Sequence, residues 1–327
     1  MNSPDRPLPG TVRTVLGDVD PTTLGVTFCH EHLIIDSAVV GEELSHIHLP
    51  SADEAIAEVR ECTEAGVGTM VDAMPEGGRD LEKLRKVSRL TGMHVVASTG
   101  LHTAKYYRDP FLVTAGLLQK GSSVTNTGVD LAELAPSPPL PLAWRFVGDI
   151  AAGCGMIKAA TGEEGINPRA QRLFAAAAAA HLATGVPVIT HCEEGRGALH
   201  QIDLLTSLGV PLDRVVISHT DQEPDPGYHR ALLESGVNLE YDRTLRQAGG
   251  DQSTARLLAS MIEAGYLHQL MLGTDGARRT LWRTLGGSPG LAYLATAYTE
   301  VLADHGVGPD ERRVLFVENP ARWLAAS

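Results

Sequence analysis

Cysteine is scarce in this chain. The four thiols, Cys29, Cys62, Cys154 and Cys192, are scattered through 327 residues with no CxxC pair. That argues against a disulfide framework and points to reduced thiols in a cytoplasmic protein. Long apolar runs are missing as well. No stretch reaches the roughly 18 residues of a membrane span, and the first 25 residues carry no apolar signal core. Positive charge is also short. Lys and Arg number 27 against 40 Asp and Glu, a formal net charge of −13. Nucleic acid and anionic membranes both select a basic face, so neither is expected as a partner. What remains, 43% hydrophobic and 20% charged residues, is ample for a globular core and a small-molecule enzyme.

Strand-like and helix-like segments alternate. Short apolar runs fall at Val26–His30, Val67–Ala73, His94–Thr99, Gly155–Ala159, Pro187–His191, Arg214–His219, Val237–Tyr241 and Leu270–Thr274. Between them lie amphipathic or alanine-rich stretches with start signals, such as Ser51 before Ala52–Ala65 and Asn167-Pro168 before the run to Thr184. Glycines in EAGVG, ATGVP and ESGVN close such stretches just ahead of the next strand. Eight βα units of this kind predict a (β/α)8 barrel. One domain spanning 1–327 is expected, with the barrel at about 26–325 and a short antiparallel addition in the first 25 residues that turns at Asp18–Pro21. The terminal VENPARWLAAS reads as a helix that docks Trp323. Two stretches break the rhythm. Residues 121–141 are rich in Gly, Ser and Pro, and residues 276–290 form a long polar loop after the eighth strand.

Six residues stand where these strands end: His30 and His32 in FCHEHL, Lys158 in GMIKAA, His191 in VITHCEEG, His219 in VVISHTD and Asp275 in LMLGTDGA. Residues i and i+2 of a strand face the same side, so His30 and His32 can share one ion. Imidazole and carboxylate suit zinc-like ions. A second His-x-His, His46/His48, has no strand context and is set aside. Lys158 is out of place, because a buried ammonium is costly and cannot ligate a cation. Cys29 and Cys192 are expected to pack behind the ligands as small residues. Asp221, two residues past His219, offers a carboxylate to orient a ligand imidazole or to cap a helix.

These motifs, together with TGLH after strand three, DRVVISHTD and VENPARWL, are similar in order and spacing to the phosphotriesterase-like branch of the amidohydrolase superfamily. The resemblance spans nearly the whole chain. It implies a distorted barrel with two divalent ions, zinc first among cobalt, manganese and iron. His30, His32 and Asp275 would hold one ion, His191 and His219 the other, and carboxylated Lys158 would bridge them. Such ions, about 3.5–4 Å apart, share a hydroxide that attacks a carbonyl or phosphoryl centre. Asp275 is then the catalytic proton acceptor. Relatives suggest a homodimer.

The substrate is less legible. Arg243, Arg246, Arg278, Arg279 and Arg283 crowd the loops after strands seven and eight, the recurrent phosphate site of such barrels. Asp242-Arg243 matches a supporting pair in lactonase-like relatives. TDGARRTLWRTLGGSPG resembles the loop of phosphorylated sugar-lactone hydrolases, in which Arg278 and a basic residue near Arg246 would hold the phosphate, although Leu281 stands where a tyrosine is expected. His102 and Tyr106 are expected in the pocket wall, with Lys105 a further anion contact. The first expectation is a lactonase for a sugar lactone, phosphorylated or otherwise anionic. Alternatives are a phosphotriesterase, an N-acyl amidase and a non-catalytic binding barrel.

Overall fold

The computed structural model describes residues 7–36, 42–107 and 140–327. A short hairpin, β1 (Val12–Thr14) and β2 (Gly17–Val19), precedes eight strands that lie side by side in chain order, each parallel to its neighbour. These are β3 (Val26–Glu31), β4 (Val67–Asp72), β5 (His94–Gly100), β6 (Cys154–Thr161), β7 (Val188–Cys192), β8 (Val215–Ser218), β9 (Asn238–Tyr241) and β10 (Leu270–Leu272). Helices follow them in the expected alternation: α1 (Ala52–Glu64), α2 (Leu81–Thr91), α3 (Leu140–Ala151), α4 (Pro168–Thr184), α5 (Ala198–Ser207), α6 (Pro226–Glu234), α7 (Ser253–Glu263) and α8 (Ala297–Asp304). The result is a (β/α)8 barrel. It closes irregularly, as His30 O accepts from the N–H groups of Thr274 at 3.1 Å and Asp275 at 2.9 Å. No helix among the described residues is long and apolar enough to cross a membrane.

Local chemistry sets the helix ends. Ser51 Oγ accepts from Glu54 N at 3.2 Å, and Asn167 Oδ1 accepts from Ala170 N at 2.9 Å with Pro168 next in the chain. Gly185 closes α4 in the left-handed region, φ 77°. The expected excursion over 121–141 lies outside the described residues, apart from the last two, which open α3.

Strand alternation sorts the core into two shells. Phe28, Met70, Val95, Ile157, Val188 and Leu239 face outward and pack under the helices. Cys29, Val71, Val96, Met156, Ile189, Val216 and Met271 fill the barrel's interior, one from each strand except β9. Burying each such side chain contributes on the order of 1.5–3 kcal/mol for the larger ones. Stepping two residues along a strand keeps the inward face, so Met156 leads to Lys158 and Ile189 to His191. On β3 the register shifts between Phe28 and Glu31, and His30 as well as Cys29 faces the centre.

The amino end of the barrel is plugged. Val12, Leu24, Trp323 and Leu324 pack onto the interior shell, Val15 N donates to Val95 O, and Trp323 Nε1 donates to Arg214 O at 3.3 Å. The terminal helix α10 (Asn319–Leu324), after the short α9 (Pro309–Arg313), docks Trp323 as expected. The hairpin differs in one respect, because it turns at Val15–Leu16 rather than at Asp18–Pro21. Asp18 is instead committed to Arg13, 2.8 Å away, while Asp20 caps a separate turn by accepting from Thr22 N at 2.8 Å.

One glycine limits where Lys158 can sit. Gly100 ends β5 with φ 95°, and a Cβ there would collide with the Lys158 carbonyl. Gly100→Ala is therefore expected to destabilise the fold by about 3 kcal/mol or more, combining left-handed strain with an overlap that only strand separation relieves. Denaturant unfolding measures this, and a loss under about 1 kcal/mol would mean that the strands separate freely.

Candidate metal centre

The six residues expected at the strand ends converge at the carboxyl end of the barrel. All are buried or nearly so: Lys158 is 0% exposed and His30 1%. The His30 and His32 ring centroids lie 5.4 Å apart, those of His30 and His219 4.8 Å, and those of His191 and His219 4.5 Å. Lys158 Nζ stands 3.4 Å from His30 Nε2, and His32 Nε2 stands 3.4 Å from Asp275 Oδ1. Among the described residues three non-glycines adopt left-handed φ: Glu194 at 55°, His219 at 64° and Asp275 at 42°. Two of them are expected ligands, each just past its strand. The unusual backbone turns these side chains back over the barrel axis, at a cost of order 1–3 kcal/mol each that surrounding contacts must hold.

Carboxylates brace the rings from outside. His30 Nδ1 is 3.1 Å from Glu240 Oε2, which also accepts from Ser218 Oγ at 2.8 Å. The Asp242 carboxylate accepts from His219 Nδ1 at 2.9 Å and from the His219 backbone N–H at 3.0 Å. His191 Nε2 meets Glu193 Oε2 at 3.2 Å. In each pair one ring nitrogen is anchored and the other is left for the centre. His191 Nδ1 is buried with no hydrogen-bond partner, as is His32 Nδ1. Metal-ligating imidazoles are typically anchored in this way.

The electrostatics fit a cationic occupant. Burial holds the His191 and His219 imidazoles down at about 3 and His30 well below its ordinary value, so all three are neutral donors. Burial pushes Asp242 up to about 7 and Glu240 well above the carboxylate range. Burial would likewise raise Asp275, but Arg246 Nη2 at 2.7 Å from Oδ2 reverses this and holds it well below. Burial lowers the Lys158 amine to about 8. A site with neutral imidazoles and under-compensated buried acids is one that divalent ions would complete. Two groups of candidate ligand atoms converge here, His30 with His32 and Asp275, and His30 with His219 and Asp242. In the second group Asp242 already accepts two N–H bonds from His219, so its role is that of an anchor.

Other expected residues are placed as follows. The His102 ring lies 4.5 Å from that of His191 and 4.1 Å from that of Tyr106, in the wall of the mouth. Arg243 Nη1 reaches Gln222 Oε1 at 3.4 Å. Arg246 is turned to Asp275 and also donates to Thr274 O at 3.3 Å. Arg279 pairs with Glu54 at 3.4 Å and Arg283 with Glu61 at 3.0 Å, so both tie the loop to α1. Between them Glu58, 0% exposed, accepts from Thr284 N, Thr284 Oγ1 and Leu291 N at 2.8–3.0 Å. Arg278 is exposed, and alone of the five its side chain has no ion pair or hydrogen bond among the described residues. Asp221 neither orients an imidazole nor caps a helix. Its Oδ2 accepts from Arg243 N at 3.0 Å and from Thr254 Oγ1 at 2.8 Å. Cys29 and Cys192 are buried thiols behind the site, and His46 and His48 join no ligand group among the described residues. Sequence reasoning missed Glu240 and Glu193. An acid inside the apolar strand VNLEY, in phase with the interior, was the available signal for the first. Glu193 lies two residues past a ligand, a weaker cue.

A model of the phosphotriesterase family matches residues 10–324. The phospho-furanose lactonase of Mycoplasmopsis synoviae is 29% identical, covering 96% of this chain and 91% of that one. The phosphotriesterase homology protein of Mycobacterium tuberculosis is 30% identical, covering 95% and 96%. Among solved structures, a lactonase from Listeria monocytogenes superposes with a TM-score of 0.84 at 25% identity, covering 97% and 99%.

Asp242 offers a direct test of the anchoring. Asp242→Asn keeps the shape but turns an amide N–H₂ toward one of two donors, and metal affinity is expected to fall about 10- to 100-fold. Competition against a chromogenic chelator measures this, and affinity within twofold of wild type would make Asp242 a bystander.

Proposed function

The chain belongs to the phosphotriesterase family of metal-dependent hydrolases that act on ester bonds, and on that premise we propose that it opens a sugar lactone bearing a phosphate or other anionic group. His30, His32 and Asp275 would hold one divalent ion, and His191 and His219 the other. Lys158, its amine within reach of the free base near neutral pH, would take up carbon dioxide. A C–N bond would form at Nζ and a proton leave, and the resulting carbamate would be an anionic ligand for the ions held by these side chains. When bound, such ions would supply Lewis acidity for the lactone carbonyl and for an attacking water.

The side chains do the rest. Asp275 takes a proton from the attacking water on its carboxylate and delivers it to the ring oxygen as the acyl C–O bond breaks, leaving a hydroxy acid. Glu240, Asp242 and Glu193 hold the imidazoles in the tautomer that presents a lone pair inward. His102 and Tyr106 form one wall, which orients the sugar ring and excludes water. Arg246, paired with Asp275, and Arg243 would complete the substrate surround, and the exposed Arg278 on the loop after β10 would meet the anion.

The observation that carries the lactone reading is the exposed Arg278 side chain, three residues past Asp275 and without an ion pair among the described residues, in a chain similar to an enzyme named for phospho-furanose lactones. A neutral phosphotriester would leave that charge unused. The test is a panel of phosphorylated and plain sugar lactones, neutral phosphotriesters and N-acyl amino acids. The highest kcat/KM is expected on a phosphorylated lactone. A phosphotriester or N-acyl compound that outperforms every lactone would end this reading.

Lys158 has its own test. Lys158→Ala is expected to lose metal and activity together, and added short carboxylic acids to restore part of both by supplying a carboxylate in place of the carbamate. Two metals per chain and full turnover in that variant would dispose of the carbamate.

A further inference from the structure

Glu58 is a buried acid that neither the metal centre nor the barrel core accounts for. It lies on α1 and is 0% exposed. Its helix neighbours Glu54 and Glu61 pair with the side chains of Arg279 and Arg283. Glu58 forms no ion pair among the described residues, and its charge is met instead by the loop after β10. Oε1 accepts from Arg283 N at 3.3 Å and Leu291 N at 2.9 Å, and Oε2 accepts from Thr284 N at 3.0 Å and Thr284 Oγ1 at 2.8 Å. Burying a lone carboxylate is costly unless its lone pairs find donors. Four donors on two oxygens meet that condition, and three of the four are backbone N–H groups. The grip therefore fixes the course of the chain, not merely one side chain.

The residues gripped in this way converge one position past Asp275. Trp282, next to Arg283, is 0% exposed, and its Nε1 donates to Gly276 O at 2.7 Å. Leu291, also 0% exposed, packs on Gly276 so closely that a Cβ there would collide with Leu291 Cδ2. Between Trp282 and Leu291 the loop is closed on itself. Gly287 N donates to Trp282 O at 2.8 Å, Ser288 N to Thr280 O at 2.9 Å and Gly290 N to Leu281 O at 2.9 Å. These cross-bonds make the loop one block. Glu58 holds the block at Arg283, Thr284 and Leu291, and the block holds Gly276. On its other flank, Asp275 N donates to His30 O at 2.9 Å. Asp275 itself sits at φ 42°, a strained conformation that persists only where its surroundings fix it.

We propose that Glu58 is a positioning residue for Asp275, acting from α1 through Trp282 and Leu291 on Gly276. This rests on the reading of Asp275 as a metal ligand and proton acceptor. A carboxylate with both tasks tolerates little displacement, because a shift of about 1 Å can cost on the order of 100-fold in rate. His30 O fixes the Asp275 backbone from the barrel side, and Glu58 supplies the opposing hold from the helix layer. Glu54 and Glu61 bind arginine side chains of the same loop without accepting from its backbone, so they have no part in placing Asp275.

The experiment compares wild type, Glu58→Gln, Glu61→Gln, Trp282→Phe and Asp275→Asn. Three quantities are read on folded protein: the visible absorption of bound cobalt(II), which follows ligand geometry; zinc affinity by chelator competition; and amide hydrogen exchange over residues 274–277. Glu58→Gln keeps the volume but turns an amide N–H₂ toward N–H donors. It is expected to shift the cobalt spectrum and to lower zinc affinity about tenfold, the low end for loss of an orienting group. Exchange at 274–277 is expected to quicken about tenfold. Trp282→Phe leaves the donors to Glu58 in place and removes the N–H on Gly276. It is expected to move all three readouts in the same direction, and it decides the matter if Glu58→Gln does not fold. Glu61→Gln is expected to match wild type. A folded Glu58→Gln with the wild-type spectrum and exchange would overturn the proposal. So would a Trp282→Phe protein that matches wild type, or a Glu61→Gln protein that shifts as far as Glu58→Gln. An unchanged spectrum in Asp275→Asn would instead remove Asp275 from the metal centre, and the proposal would fall with that reading.

Discussion

Burial of charge at one end of the barrel is the constraint on which the rest of this structure depends. Lys158, His30, Glu240 and Asp242 are all essentially inaccessible. Lys158 brings one cation to a region where Glu240, Asp242 and Asp275 bring three carboxyls. In low dielectric such an imbalance is resolved by protonation, by ion pairing or by a bound cation. Arg246 resolves it for Asp275 alone. The remaining acids are pushed upward by burial, while neutral imidazoles turn nitrogen lone pairs to the same point. Divalent ions are the species that answer both conditions.

That cluster is affordable only because the opposite end of the barrel is closed. The interior shell from Cys29 to Met271, capped by Val12, Leu24, Trp323 and Leu324, keeps water from entering from below. The left-handed turns at His219 and Asp275 are strained conformations which an ordinary loop would relax. Here Asp242 pins the backbone and ring of His219, and His30 O accepts the backbone N–H of Asp275. Stability built at the amino end is thus spent as geometry at the carboxyl end, the usual division of labour in this architecture.

The rim shows how burial separates structural from available charge. Glu54, Glu58 and Glu61 fall on one face of α1 and grip the loop after β10 through side chains and backbone alike. Arginines that look like one basic patch in the chain are thereby divided among distinct partners. Among the described residues, the cation that remains exposed without an ion pair on that loop is the Arg278 side chain.

Much of this was written in the linear chain. Parallel barrel strands are covered on both faces, so they appear as continuous apolar runs, and a polar residue that ends each run is visible without coordinates. That is why all eight strands, the His-x-His, the lone histidines, Lys158 and Asp275 were readable, as were Ser51 and Asn167, whose capping bonds span three residues. Partner choice was not readable. Whether Asp221 or Asp242 braces His219, whether Arg246 faces outward or Asp275, and that Glu240 stands behind His30 all depend on contacts between strands far apart in the chain. Asp18 likewise left the turn for Arg13. Local pattern determined the elements and the ligand types, because hydrophobic period and capping are short-range. Only closure of the barrel, which fixes the register between neighbouring strands, decided which charge meets which.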